Sequence, residues 1–140
     1  KNNVKLLLPT DLVMAEAFAA DAKHATQGVQ ALDQEGMALD IGEETAKAYA
    51  AALADAKMIV WNGPMGVFEM DAFCKGTEAV AKAVAKSRAI SIVGGGDSVA
   101  AIEKLGLAKR ISHISTGGGA SLELIQYDGH LPGIDVIEDK

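Results

Sequence analysis

With 140 residues, 49% of them hydrophobic, the chain carries enough apolar side chain for one buried core. Its 13 basic residues against 19 acidic ones leave a net charge of −6, which argues against nucleic acid or an anionic membrane as the main partner. Cys74 is alone and admits no internal disulfide, no basic-then-apolar leader opens the chain, and no run approaches the roughly 18 apolar residues of a membrane span, so a reducing, cytoplasmic setting is expected.

In chain order, residues 5–9 read as a buried strand, and residues 12–18 fit strand and helix equally well. Residues 27–42 read as short extended pieces and turns. Residues 43–57 are Ala-rich and helical, with Tyr49, Ala50 and Leu53 on one face. Glu43 and Glu44 suit the positive start of that helix and Lys57 its negative end. One pattern then occurs three times: a short β-rich run, a glycine turn, an amphipathic helix. Met58-Ile59-Val60-Trp61 leads into Asn62-Gly63-Pro64-Met65-Gly66 and a helix with Phe73, Thr77, Val80 and Val84 on one side. Ile90-Ser91-Ile92-Val93 leads into Gly94-Gly95-Gly96-Asp97-Ser98 and a helix with Val99, Ile102 and Leu105, stopped by Gly106. Ile111-Ser112-His113-Ile114 leads into Ser115-Thr116-Gly117-Gly118-Gly119-Ala120-Ser121 and a short helix through Leu122 and Ile125. Strands alternating with helices in this way predict an α/β fold, a parallel sheet with right-handed crossovers and helices on both faces.

In such a fold ligands gather at the carboxyl ends of the strands, where the glycines lie. Glycine lets the main chain approach an oxyanion, and the following helix start adds N–H donors and positive potential. Two triplets and a third glycine turn point to a polyphosphate site. A dinucleotide fingerprint beginning at Gly94 would need glycine where Val99 stands, and no Gly-Lys pair exists for a Walker loop. In the first triplet Asp97 supplies a hard oxygen for Mg²⁺, and the Ser98 hydroxyl is suited to a phosphate oxygen or a helix cap. The plainer reading is a tight turn with Asp97 and Ser98 merely capping. The second triplet presents further amides to a transferring group, with Ser115, Thr116 and Ser121 as caps or donors; its plainer reading is a close approach of two backbones. For Asn62–Gly66 the plainer reading is a loop stiffened by Pro64. His113, inside an expected strand, reads as an interior residue, and His24 and His130 have no ligand partners at metal-binding spacing. Cys74, Trp61 and the phenylalanines read as packing residues.

The series Leu39-Asp40-Ile41-Gly42, Val60-Trp61-Asn62-Gly63-Pro64-Met65-Gly66-Val67-Phe68-Glu69, Gly94–Ser98 and Ser112–Glu123, with Leu131-Pro132-Gly133 near the end, closely resembles phosphoglycerate kinase. The resemblance implies a Rossmann-like nucleotide-binding domain and a glycolytic phosphotransferase. It would move a phosphoryl group between 1,3-bisphosphoglycerate and ADP, giving 3-phosphoglycerate and ATP, with Mg²⁺. Carried over by motif, Leu39 flanks the adenine, Asn62 and Pro64 line the phosphate and sugar region, and Glu69 holds the ribose hydroxyls. Gly94, Gly95, Gly96, Asp97 and Ser98 hold phosphates, Asp97 meets the metal, and Gly96 and Gly119 offer amides to the phosphoryl group in flight. That fits the chemistry, because phosphoryl transfer needs positioning and charge stabilisation more than a covalent protein group.

The likeness covers about the last third of the family's length. It implies that residues 1–140 are a partial C-terminal nucleotide-binding domain, with the N-terminal substrate domain and its Arg and His cluster absent, and with the lysine-bearing Gly-Ala-Lys segment missing. Ala38 stands where many relatives have Gly, and Ser98 where many have Thr. The piece alone is therefore expected to be inactive. Two other readings stay open: a non-catalytic adenine-nucleotide-binding module, or a fragment that self-associates through an uncovered sheet edge.

Overall fold

The computed structural model describes residues 3–137. Its first layer is antiparallel: β1 (Asp11–Ala15), β2 (His24–Gly28) and β3 (Met37–Ile41), in the order β2-β1-β3. Pairing decides what periodicity left ambiguous. Within residues 12–18, the first four join β1 because both of its edges find partners, Val13 opposite Thr26 on one side and Leu12 opposite Ile41 on the other. The extended pieces expected in residues 27–42 become the end of β2 and all of β3. Residues 5–9, expected as a buried strand, instead carry no regular structure; Leu6 and Leu8 are 77% and 68% exposed. An apolar run needs a ladder partner to become a strand, and β1, next along the chain, already has one on each side.

Helix α1 (Glu43–Ala54) follows β3. Its N-cap, Gly42, has no side chain to satisfy the first N–H groups. The Asp11 carboxylate does so from β1, accepting the N–H of Thr45 at 2.8 Å and of Glu44 at 3.2 Å. A Cβ on Gly42 would fall on that carboxylate. The helix ends three residues before the expected position, with the Ala56 N–H donating to the Leu53 carbonyl at 3.3 Å, so Lys57 lies in the connection rather than in the last turn.

The second layer is the expected parallel sheet: β4 (Met58–Asn62), β5 (Ile90–Gly94) and β6 (His113–Ser115), in that order. Helix α2 (Lys75–Lys86) joins β4 to β5, α3 (Gly96–Lys104) joins β5 to β6, and α4 (Gly119–Gln126) and the short α5 (Pro132–Asp135) follow. The fold class is α/β, a parallel sheet flanked by helices. Ile59 and Trp61 of β4, Val93 of β5, Val80 and Val84 of α2 and Ile102 of α3 form the main core, with Ile41 and Ala46. Phe73, fully buried in a 3₁₀ turn ahead of α2, packs with Ala15 and Leu39 in a second cluster. The helical spacing of Phe73, Thr77, Val80 and Val84 does mark one buried face.

Other sequence expectations fail for one physical reason, the lack of a covering neighbour. β6 is the outer strand of its sheet, and His113, expected in the interior, is exposed. Helix α4 forms where expected but buries no residue, leaving Leu122 and Ile125 exposed. Met58, Val60 and Ile90, alternating with the buried positions of β4 and β5, are exposed as well. Trp61, Phe68 and Phe73 are core residues, whereas Phe18 is exposed. Cys74 is half-buried at the start of α2, its thiol 3.3 Å from the Asp71 carbonyl. Among the described residues no helix is long and apolar enough to cross a membrane.

Candidate functional site

The parallel register sets Asn62, Gly94 and Ser115 side by side at the carboxyl ends of β4, β5 and β6. The two triplets therefore leave the sheet next to one another. They touch. Gly95 has φ +89°, and a Cβ there would meet the Asn62 Oδ1 at 2.6 Å; a Cβ on Gly118 would meet the same oxygen at 2.9 Å and the Gly95 Cα at 3.1 Å. These two glycines are demanded by the close approach of two backbones around the Asn62 amide. Gly96 and Gly119 are different. Each is the first residue of its helix, α3 and α4, neither has positive φ, and a Cβ on either would meet nothing within 4 Å. Packing gives no reason for glycine at either position.

The first triplet ends in α3, whose N-cap is Gly95 without a side-chain cap bond, so Asp97 and Ser98 do not serve as caps. Asp97 is exposed in the first turn. Ser98 is buried, and its Oγ accepts the N–H of Gly63 at 2.7 Å. In the second triplet Ser115 Oγ accepts the Gly117 N–H at 3.2 Å and Ser121 Oγ donates to the Gly117 carbonyl at 2.6 Å, so both serines brace their own loop. Among the described residues no three His, Cys, Asp or Glu side chains gather into a metal-binding group. Asp97 fits Mg²⁺ only in the way this ion is usually held on nucleotides, by one carboxylate with phosphates and water supplying the other oxygens.

The segment from Asn62 to Glu69 is tied down along its length. The Trp61 indole N–H donates to the Gly63 carbonyl at 2.6 Å, and Thr77 Oγ1 accepts the N–H groups of Met65 and Gly66 at 3.0 and 3.3 Å. Pro64 is half-buried and Glu69 exposed. Val67 N–H donates to the Leu39 carbonyl at 2.8 Å, which fastens this loop to β3. The Leu39 side chain itself is buried against Phe73. The structure thus gathers Asn62, Gly94, Gly95, Gly96, Asp97, Ser98 and the second triplet at one sheet end, with Leu39 and Glu69 joined to them through the loop.

One residue that the motif reading passed over lies beneath. Asp40 is buried, its Oδ2 accepting the N–H of Gly76 at 2.8 Å and its Oδ1 that of Ile41 at 2.9 Å. Burial outweighs those two bonds and holds its pKa above the ordinary carboxylate value. Its carboxylate fills the space where Gly66 and Gly76 would carry a Cβ. A charged residue inside the apolar run Met37–Ile41 was the available signal. Thr77 was visible only as part of a helix face.

The model of the family "Phosphoglycerate kinase" matches residues 1–128. The chain belongs to the phosphoglycerate kinase family. It is 59% identical over 140 residues to phosphoglycerate kinase of Moorella thermoacetica, covering all of this chain and 35% of that protein. To the Trichodesmium erythraeum enzyme it is 55% identical over 141 residues, again covering 35% of the relative. The solved phosphoglycerate kinase of Coxiella burnetii matches with a TM-score of 0.86 at 47% identity, over 95% of this chain and 34% of that one. That of Pyrococcus horikoshii gives 0.75 at 38% identity, over 91% and 31%. The chain therefore spans about a third of the length of the phosphoglycerate kinases it matches.

Proposed function

We propose that this chain supplies the phosphate- and sugar-holding part of the nucleotide site in a phosphoglycerate kinase that moves a phosphoryl group between 1,3-bisphosphoglycerate and ADP. The observation that carries the reading is Gly96 and Gly119: two helix-starting glycines with no steric need to be glycine, each one residue beyond the contact between the loops. A phosphoryl group approaching their N–H groups supplies the missing reason. In this reading Gly94, Gly95, Gly96 and Ser98 surround the nucleotide phosphates, Asn62 and Pro64 line the phosphate and sugar region, Glu69 takes the ribose hydroxyls, and Leu39 borders the adenine. Ser98 acts mainly through Gly63, since its hydroxyl already accepts that N–H. Asp97 holds Mg²⁺, and the ion would offset charge on the phosphate oxygens. The protein's own contribution is orientation and fixed donors, with no covalent step. The sugar-acid substrate is held outside this chain, so the piece binds nucleotide without turnover; turnover by the purified chain would overturn that.

The test is calorimetric titration of the chain with Mg²⁺-ADP beside Asp97→Ala. Saturable binding weakened about tenfold or more by the substitution is expected, roughly the loss of one charge-supported contact. Binding indifferent to Asp97 and to Mg²⁺, or no binding at millimolar nucleotide, would overturn the reading. A second reading rests on a separate observation, the exposed Met58, Val60 and Ile90 on the parallel sheet. It holds that copies of the chain associate through this face, so light scattering at high concentration should show a dimer or larger species rather than a clean monomer.

A further inference from the structure

Helix α3 is fastened to the Asn62–Glu69 segment at both of its ends. At its start, the buried Ser98 accepts the Gly63 N–H. At its other end, Lys104, the last residue of the helix, donates from Nζ to the Phe68 carbonyl at 3.0 Å and reaches the Glu69 carbonyl and the Asp71 carboxylate at 3.5 and 3.4 Å. The two fastenings lie six positions apart along the helix, about 9 Å at 1.5 Å per residue. The helix acts as a splint: one end carries Gly96 and Asp97, and the other holds the main chain of Glu69.

A lysine at a helix end has an ordinary explanation, interaction with the helix's own carbonyls. Here the ammonium contacts are the carbonyls of a different segment, while the Ala101 and Glu103 carbonyls of α3 receive the N–H groups of Leu105 and Gly106. Asp71 is almost wholly exposed, so its ion pair with Lys104 counts for little. The bond to the Phe68 carbonyl is different, because Phe68 is buried and its position sets the residue that follows.

We propose that Lys104 is a positioning residue of the nucleotide site, holding Glu69 where a nucleoside's sugar hydroxyls would reach it. This rests on the nucleotide reading above. The role is specific to the sugar end: a ligand made of phosphate alone meets only the Gly94–Asp97 end of α3 and is indifferent to Lys104.

Lys104→Met keeps the stem and removes the charge, and Lys104→Arg keeps a donor. The probes are Mg²⁺-ADP and Mg²⁺-pyrophosphate by calorimetry, with amide exchange of Met70, whose N–H donates to Val67, read without ligand. Lys104→Met should weaken Mg²⁺-ADP about three- to tenfold, the range for a partly exposed charged hydrogen bond. It should leave pyrophosphate unchanged and speed Met70 exchange, and Lys104→Arg should recover most of both. Equal weakening of the two ligands, or Met70 exchange and ADP affinity that do not change, overturns the positioning role while the nucleotide reading stands. An unsubstituted chain that binds pyrophosphate but gains nothing from the adenosine part also overturns it. If the unsubstituted chain binds neither ligand, the nucleotide reading falls and the role of Lys104 with it.

Discussion

The two glycine triplets share a sequence pattern but not a means of support. Gly94–Gly96 runs from a five-residue strand into a helix that buries Ser98, Ala101 and Ile102. Gly117–Gly119 runs from a three-residue strand into a helix that buries nothing. The first loop is held by the core. The second is held by its own serines and by the seat that Gly118 finds against Gly95 and Asn62. A glycine loop need not be built on a well-packed helix to be held in place, provided a neighbouring loop is.

The strongest way to break that contrast is to empty the support of each loop in turn. Ile102→Ala removes a fully buried side chain and should cost about 2–5 kcal/mol by denaturant unfolding. Leu122→Ala on α4 should stay within about 0.5 kcal/mol. Equal losses would mean that the second loop is as deeply anchored as the first.

The next contrast lies within one triplet. Gly95→Ala combines a positive φ with a clash at Asn62 and should cost about 1–3 kcal/mol. Gly96→Ala, with ordinary φ and open space, should be neutral or slightly stabilising on unfolding, given alanine's better helix propensity, yet weaken Mg²⁺-ADP. Lost stability without lost affinity at Gly96 would remove the functional reason for that glycine.

The smallest effect separates two buried aspartates of the antiparallel sheet, Asp11 of β1 and Asp40 of β3. Hydrogen bonds from Thr45 and Glu44 outweigh the burial of Asp11 and lower its pKa, while burial dominates at Asp40 and raises it. A lowered folded pKa gives stability that is present above the unfolded value, near 3.8, and lost as pH falls through the folded value. A raised one gives stability that is present below that value and lost as pH rises through the folded pKa. The deficit of Asp11→Asn relative to the unsubstituted chain should therefore shrink on acidification, and that of Asp40→Asn should shrink as pH rises from 3.8 toward neutral. Denaturant midpoints taken below pH 3.8 for Asp11 and from 3.8 to neutral for Asp40 check the two signs; parallel slopes would contradict the opposite surroundings of the two residues.

The sheet ends were legible because strand, turn and helix each leave a local mark: apolar runs, glycines, and the spacing of Phe73, Thr77, Val80 and Val84. The supports of the site left little. Asp40 showed only as a charge in an apolar strand, and Lys104 is a last-turn lysine like many others; its target, the Phe68 carbonyl, lies 36 residues away. Residues 5–9 show the opposite failure, an apolar run with nothing to pair with.

By itself the sequence determined the α/β class, the three βα units and the family, because these rest on neighbours along the chain and on long motifs in order. Only the tertiary structure decided that Gly95 and Gly118 are held to glycine by the Asn62 amide they crowd, while Gly96 and Gly119 are not. The same holds for the Ser98 bond to Gly63 and for the exposure of His113 and α4. Each depends on what another segment places within about 3 Å, the reach of a hydrogen bond, and a one-dimensional pattern carries no such distance.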